Sequence, residues 1–144
     1  MGQIRLFKPE DMEQLLDLQE LIALELSIKF KKATARQTIT DMYESEQSVM
    51  IVAEENGKLV GSIGALVLPS TTDSEVLIAK ELGWYVLPSH RKGVGMQLFK
   101  ALERLLTPLR CEYYVSVPKG AKALARIFEG LGYKETETIY KKEL

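Results

Sequence analysis

The spacing of apolar and polar residues along the chain predicts alternating strands and helices. Residues 3–7 alternate between polar and apolar, which indicates a short first strand. Pro9 fits the first turn of the following helix, which is expected to end at about Leu26. A second, weaker helical pattern covers residues 38–43. The apolar face of the first helix recurs at helical spacing, at Met12, Leu15, Leu16, Leu18, Leu21 and Ile22.

The middle of the chain changes to the two-residue period of strands. Two apolar runs, residues 49–53 and 59–67, are separated by Asn56 and Gly57, which is a strong signal for a β-hairpin. A longer strand is predicted over residues 75–87, with Gly83 inside it. A lone glycine within a strand indicates a bulge or the close approach of another backbone.

The last third of the chain is predicted to contain two helices and two strands. A helix begins directly after residues 88–95 and ends before Pro108. Residues 112–117 form the next predicted strand, residues 121–131 a helix with Gly132 as its cap, and residues 133–142 a final strand. This order of elements indicates a single α/β domain over residues 1–144, without internal repeats.

Composition and charge narrow the classes of protein. The chain has 144 residues, 46% of them hydrophobic, and 20 acidic against 19 basic side chains, which argues against a general nucleic-acid binder. No apolar run approaches the roughly 18 residues of a membrane span. The chain has a single cysteine, Cys111, which excludes an internal disulfide. With a single histidine, His90, it also has too few soft ligands to favour a metal site. Because no N-terminal signal sequence is recognisable, we expect a soluble cytoplasmic protein.

A basic glycine loop is the most suggestive feature of the sequence. Gly93 and Gly95 stand one residue apart where a strand passes into a helix, so backbone N–H groups can turn inward without obstruction by side chains. Arg91 and Lys92 add two cations at the positive end of that helix. The pattern predicts a phosphate cradle, with an ordinary strand-to-helix turn as the alternative. It matches neither a Walker loop nor a dinucleotide-binding fingerprint.

Two segments carry a resemblance to a known family. The run Trp84-Tyr85-Val86-Leu87-Pro88-Ser89-His90-Arg91-Lys92-Gly93-Val94-Gly95 resembles motif A of the GNAT superfamily of acetyl-CoA-dependent N-acetyltransferases. Residues 124–133, which contain Ile127-Phe128-Glu129 and Leu131-Gly132-Tyr133, resemble its motif B. The resemblance implies a mixed, mostly antiparallel sheet flanked by helices, whose central strands splay apart around acetyl-CoA. It also implies an amine acceptor and a homodimer, which is common in the family.

The resemblance implies roles for the backbone near the loop. The backbone of Tyr85, Val86 and Leu87 would pair with the pantetheine arm of acetyl-CoA, and a backbone N–H near Tyr85 would stabilise the developing oxyanion. The pyrophosphate would be held by the loop amides of Arg91, Lys92, Gly93, Val94, Gly95 and Met96.

Glu81 is the predicted general base. It lies four residues before Tyr85, where several members of the family hold a glutamate in that role. An ammonium group with a lysine-like pKa of about 10.4 must lose a proton before attack, which near pH 7 costs roughly 4–5 kcal/mol. A carboxylate near the acyl group assists by direct or water-relayed proton transfer. A surface glutamate that faces Lys80 is the alternative interpretation.

Three positions depart from the family pattern. His90 replaces the usual Arg or Gln of the loop, Ala121 replaces Asn in motif B, and Phe128 replaces the tyrosine that often serves as acid. The proton donor to the departing thiolate therefore stays open among water and five side chains: Tyr113, Tyr114, Ser116, Tyr133 and Tyr140.

The favoured function is transfer of the acetyl group of acetyl-CoA to a primary amine by direct attack, without a covalent enzyme intermediate. The departures at Ala121 and Phe128 motivate an alternative, a non-catalytic module that binds acyl-CoA or a protein partner. A nucleic-acid binder that uses the basic stretch 29–36 is the least favoured, because the net charge is close to zero. The acceptor, whether small molecule, peptide N-terminus or protein lysine, carries no motif in the sequence.

Overall fold

The computed structural model describes residues 2–144 as a five-stranded sheet with four helices. No helix in this range combines the length and apolar character needed to cross a membrane. The elements in chain order are β1 (Gln3–Leu6), α1 (Met12–Glu25), α2 (Lys32–Glu44), β2 (Ser48–Glu55), β3 (Lys58–Pro69), β4 (Leu77–Val86), α3 (Val94–Leu106), β5 (Glu112–Tyr114) and α4 (Lys122–Gly130).

The sheet is mixed and mostly antiparallel, as predicted. Its strands lie in the order β1-β2-β3-β4-β5, and the β4–β5 pair is parallel whereas the other neighbours are antiparallel. Asn56 and Gly57, with φ of 53° and 78°, form the predicted hairpin turn between β2 and β3. β5 pairs with β4 at three positions, the last being Lys80 with Tyr114. Beyond that pair, β4 has an unpaired edge from Glu81 to Val86, which we call the wedge.

Helices cover both faces of the sheet. On one face, α1 and α2 bury Leu16 and Ile39 against Val52 of β2. On the other face, α3 packs Phe99 into an aromatic cluster in which Phe99 is fully buried. The ring centroids of its neighbours lie 5.0 to 5.6 Å away, at Trp84, Tyr113, Phe128 and Tyr133. Such aromatic packing stabilises the region beside the wedge beyond the burial of apolar area.

The irregularity predicted at Gly83 is confirmed as a β-bulge. Gly64 pairs with Leu82 and Ser62 with Tyr85, so Gly83 and Trp84 together oppose the single residue Ile63. Gly83 has φ of 61°, a conformation that favours glycine. The extra residue shifts the alternation of side chains along β4 by one position. Trp84, rather than Gly83, therefore packs on the face of the sheet that α3 covers. Tyr85 consequently packs on the α1 and α2 face.

The predicted final strand, residues 133–142, is wrong. The chain has no regular secondary structure from Tyr133 onward, and the side chains of Ile139 and Tyr140 are 77% and 90% exposed. A strand requires a neighbouring strand for its backbone hydrogen bonds, and alternating side chains alone do not supply one. β5 is also shorter than the predicted strand over residues 112–117, and α2 is longer than the predicted helix over residues 38–43.

Replacement of Gly61 by alanine is expected to lower the free energy of unfolding by roughly 1–3 kcal/mol. A Cβ atom there would lie 2.9 Å from the Tyr85 carbonyl oxygen and 3.1 Å from side-chain atoms of Leu98 and Val86. β4 would therefore have to shift at the wedge. Urea unfolding of Gly61→Ala measures the effect, with Gly130→Ala as control because a Cβ at Gly130 meets no atom within 4 Å. Equal midpoints for the two variants would contradict the prediction.

Candidate active site

The backbone of β4 presents one edge to β3 and the other to the wedge. The Leu87 N–H donates to the Val60 carbonyl of β3 at 2.8 Å. Because N–H groups two residues apart in a strand point the same way, the Tyr85 amide also faces β3. The N–H and carbonyl of Val86 face the wedge. Of the three residues whose backbone was expected to contact a bound cofactor, Val86 is therefore the one with its polar groups turned to the open edge.

Glu81 lies at the start of the wedge, one residue after the last pair between β4 and β5. Its side chain is half-buried on the α3 face and makes no hydrogen bond or ion pair with any residue in 2–144. Burial raises the pKa of the Glu81 carboxyl to about 6, since removal from water disfavours the charged form. A carboxylate with these properties can accept a proton near neutral pH.

The glycine loop and the N-terminus of α3 form an array of backbone donors. Gly93 caps the helix with φ of 101°, and the first helical hydrogen bond runs from the Gln97 N–H to the Gly93 carbonyl at 3.0 Å. The amides of Val94, Gly95 and Met96 precede that bond, so the helix provides no acceptor for them. These three N–H groups at the positive end of α3 suit an anion such as a phosphate. The exposed side chain of Lys92 lies in the same loop.

The guanidinium of Arg91 is engaged with the protein itself. Its Nη2 donates to both carboxylate oxygens of Glu25 at 3.0 and 2.8 Å, and its Nε donates to the Val86 carbonyl at 3.0 Å. The Tyr85 hydroxyl also donates to Glu25, at 3.1 Å, and the Arg91 Cζ lies 5.5 Å from the centre of the Tyr85 ring. The Arg91 hydrogen bond lowers the pKa of Glu25 below its ordinary value. We call Glu25, Tyr85 and Arg91 the latch.

The latch joins three elements that sequence reasoning did not connect. Glu25 is the last residue of α1, Tyr85 lies in β4 and Arg91 in the loop before α3. No sequence signal marks Glu25 as the partner of Arg91, which lies 66 positions further along the chain. The latch directs the Arg91 side chain to the end of α1, so the loop amides and Lys92 are the donors that face solvent.

The side chains considered as proton donors lie in different environments. Phe128 is buried in the aromatic cluster, and the Tyr133 hydroxyl donates to Glu103 of α3. Tyr140 and Ser116 are exposed. The Tyr113 hydroxyl is buried beside the wedge. His90 contacts Ser89 at 2.8 Å and Glu55 at 3.4 Å, and the structure therefore gives it a partner on β2.

Comparison with solved structures shows the same fold in other proteins. A transcriptional regulator from Bacillus halodurans has a TM-score of 0.83 at 19% identity, with both chains covered completely. An acetyltransferase predicted in Clostridium acetobutylicum, solved with acetyl-CoA, has a TM-score of 0.79 at 13% identity, covering 99% of this chain and 96% of the other. An aminoglycoside N-acetyltransferase in complex with CoA has a TM-score of 0.81 at 18% identity, with coverage of 100% and 95%.

Comparison of the sequence itself assigns the family. No curated protein sequence matches the chain. The family model for the GNAT acetyltransferases, by contrast, matches residues 15–133, a range that runs from α1 through the wedge and the glycine loop to the residue after α4 and its cap. The chain belongs to the GNAT acetyltransferase family.

Proposed function

We propose that this protein is an acetyl-CoA-dependent N-acetyltransferase that acetylates a primary amine by direct attack. The observation that carries the proposal is Glu81, a half-buried carboxylate without a partner among residues 2–144, placed where β4 loses its neighbour. A group that accepts a proton at this point suits an acceptor that arrives as an ammonium ion. Family membership and a structural neighbour solved with acetyl-CoA support the choice of acetyl donor.

The donor groups of this chain fit acetyl-CoA. The amides of Val94, Gly95 and Met96 supply three N–H donors for its pyrophosphate, and Lys92 supplies a cation. At the open edge of β4, the Val86 N–H is the donor available to the acyl end of acetyl-CoA, because the Val86 carbonyl accepts from the Arg91 Nε at 3.0 Å. When bound, acetyl-CoA supplies the acetyl group as an activated thioester.

Two groups of the chain perform the chemistry in this proposal. Glu81 would accept the proton of the acceptor ammonium, directly or through water, so that the amine attacks as a neutral nucleophile. As the new C–N bond forms, the C–S bond of the thioester would break, and CoA would leave as a thiolate that takes its proton from water or from a donor in the site. The Val86 N–H donates a hydrogen bond to the oxygen on which negative charge develops, a contact worth roughly 3–4 kcal/mol in comparable sites. The sequence alone assigns this role to an N–H near Tyr85. We assign it to the Val86 N–H instead, because the register turns the Tyr85 amide toward β3.

Release of free thiol from acetyl-CoA tests the function. The protein is mixed with acetyl-CoA and a panel of amines, peptides and aminoglycosides, and thiol is followed with a chromogenic reagent. Acceptor-dependent release supports the enzyme. Thermal stabilisation by acetyl-CoA without release above background for any acceptor supports the non-catalytic module instead.

Light scattering at several concentrations tests the homodimer implied by the family resemblance.

Replacement of Glu25 by glutamine is expected to tighten the binding of acetyl-CoA by roughly three- to tenfold. The substitution removes the carboxylate that competes with phosphate for Arg91 and deletes a negative charge near the loop. Calorimetry measures the affinity, and Glu20→Gln is the matched control because Glu20 lies exposed on the same helix. Weaker binding by Glu25→Gln would show instead that the latch prepares the loop for the cofactor.

A further inference from the structure

The hydroxyl of Tyr113 is a buried polar group without a partner. Among the side chains of residues 2–144, the Tyr113 hydroxyl is the buried polar group that makes no hydrogen bond. The Tyr113 ring stacks on Phe99 with centroids 5.6 Å apart and planes at 17°, and it meets the Tyr133 ring edge at 6.2 Å. These contacts hold the hydroxyl in place. A buried hydroxyl that stays unpaired is costly, so a hydrogen-bond partner for it is expected within the protein.

Among the neighbours of this hydroxyl in residues 2–144, Glu81 is the carboxylate that makes no hydrogen bond. The titratable groups around it are Glu81 on β4, Glu103 on α3, Tyr133 after α4 and Cys111 before β5. Glu103 already accepts the Tyr133 hydroxyl, and the Cys111 thiol points to the Leu106 carbonyl at 3.8 Å. Glu81 has no hydrogen bond of its own within the described chain.

Strand register brings Glu81 and Tyr113 together. Tyr113 pairs with Ala79 in the parallel β4–β5 ladder, and Glu81 lies two residues further along β4 on the same face. Diagonal neighbours on adjacent strands lie within reach of an aromatic side chain. On the other side of β4, β3 places the uncharged Ala65 opposite Glu81. No other charge therefore competes for the carboxylate from within the sheet.

We propose that the Glu81 side chain turns toward β5 in solution, so that the Tyr113 hydroxyl, which is unpaired in the structure, donates a hydrogen bond to the Glu81 carboxylate. Tyr113 is then a positioning residue for the proposed base. The inference rests on the base role given to Glu81 under the proposed function. The hydrogen bond orients one carboxylate oxygen and leaves the other for the acceptor. Because burial raises the pKa of Tyr113 well above its ordinary value, the phenol stays protonated and acts as a donor throughout the working pH range.

Carbon NMR of protein labelled at the glutamate carboxyl groups tests the contact without any acetyl transfer. The Glu81 signal is assigned by its loss in Glu81→Gln, and its titration is compared in wild type, Tyr113→Phe and Tyr133→Phe. Loss of a donor to the carboxylate should raise the pKa of Glu81 by about one unit in Tyr113→Phe. Tyr133→Phe removes the neighbouring hydroxyl that donates to Glu103, and it should leave the Glu81 titration unchanged. Identical titrations in wild type and Tyr113→Phe, or equal shifts in both variants, would overturn the proposal.

Two further readouts separate positioning from a structural role and from the proposed function. In Tyr113→Phe, the acidic limb of the pH profile of kcat/KM should shift to higher pH by the same amount as the pKa of Glu81. The KM for acetyl-CoA should stay at its wild-type value. In the wild-type protein, a label at the Tyr113 ring carbon that bears the hydroxyl should follow pH with the midpoint of Glu81, and Glu81→Gln should abolish that response. A flat Tyr113 signal contradicts the contact even if Tyr113→Phe fails to fold. The rate of Glu81→Gln tests the base role separately.

Discussion

Replacement of Glu81 by glutamine is expected to lower kcat by roughly 10²–10⁴-fold and to leave the affinity for acetyl-CoA unchanged. Glutamine keeps the size of the side chain and cannot accept the proton of the acceptor ammonium. The groups assigned to the cofactor, the α3 amides and the Val86 backbone, are untouched by the substitution. Steady-state kinetics with the best acceptor and calorimetry with acetyl-CoA measure the two quantities. Glu112→Gln is the matched control, because Glu112 is exposed on β5.

The pH dependence of kcat/KM gives an independent signature of the same group. A general base acts as the carboxylate, so activity rises as pH passes through its pKa. Burial raises the pKa of Glu81 to about 6, and the acidic limb should therefore fall between the ordinary glutamate value and pH 6. The limb should disappear in Glu81→Gln. Near wild-type turnover by Glu81→Gln from pH 6 to 9 would remove Glu81 from the mechanism, leaving orientation and the oxyanion contact as the main contributions.

The free energy of unfolding should also follow the titration of Glu81. It should fall as pH rises, whereas kcat/KM should rise. The folded protein raises the pKa of Glu81 from 4.5 to about 6, so within that window the native state binds more protons than the unfolded state. The contribution of Glu81 to stability is fully present below pH 4.5 and is lost as pH rises through 6. Relative to Glu81→Gln, the wild-type free energy of unfolding should fall by at most about 2 kcal/mol across the window. Urea unfolding at pH 4.5 and pH 7 measures the difference.

The parts of this fold that follow from local chemistry could be predicted from the sequence. Asn56 and Gly57 specify their turn because both positions need positive φ, and Gly83 marks a bulge for the same kind of reason. The helix after the glycine loop follows from its apolar spacing, although it begins at Val94, two residues before the predicted start. The loop amides at Gly95 and Met96 follow in turn from where that helix begins.

The parts that depend on contacts between distant segments could not be predicted. Whether Tyr85 or Val86 turns its amide to the wedge is decided by the register between β3 and β4, and the bulge at Gly83 sets which side chains share a face. The partner of Arg91 is Glu25, which only the packing of α1 against the loop reveals. Side-chain alternation predicts a final strand over residues 133–142, but it contains no information about whether another strand is available to pair.

Replacement of Gly93 by valine is expected to weaken acetyl-CoA binding by at least about 100-fold. With φ of 101°, Gly93 adopts a conformation that a β-branched residue reaches only with strain, so the helix cap must relax and the amides of Val94, Gly95 and Met96 turn away. Loss of two hydrogen bonds to a charged phosphate, each worth roughly 1.5–3 kcal/mol, accounts for an effect of this size.

Gly57→Val is the control that separates strain from loss of binding. Gly57 also has positive φ, 78°, and at both positions a Cβ would meet no atom within 4 Å, so the two substitutions impose the same kind of backbone strain. Gly57 lies in the β2–β3 hairpin, outside the loop assigned to the phosphates. Both variants should therefore lose comparable stability in urea unfolding, whereas calorimetry should show weakened acetyl-CoA binding for Gly93→Val alone. If Gly93→Val binds acetyl-CoA as tightly as Gly57→Val does, the phosphates lie elsewhere, because the amides that the cap holds in place would then contribute nothing to their recognition.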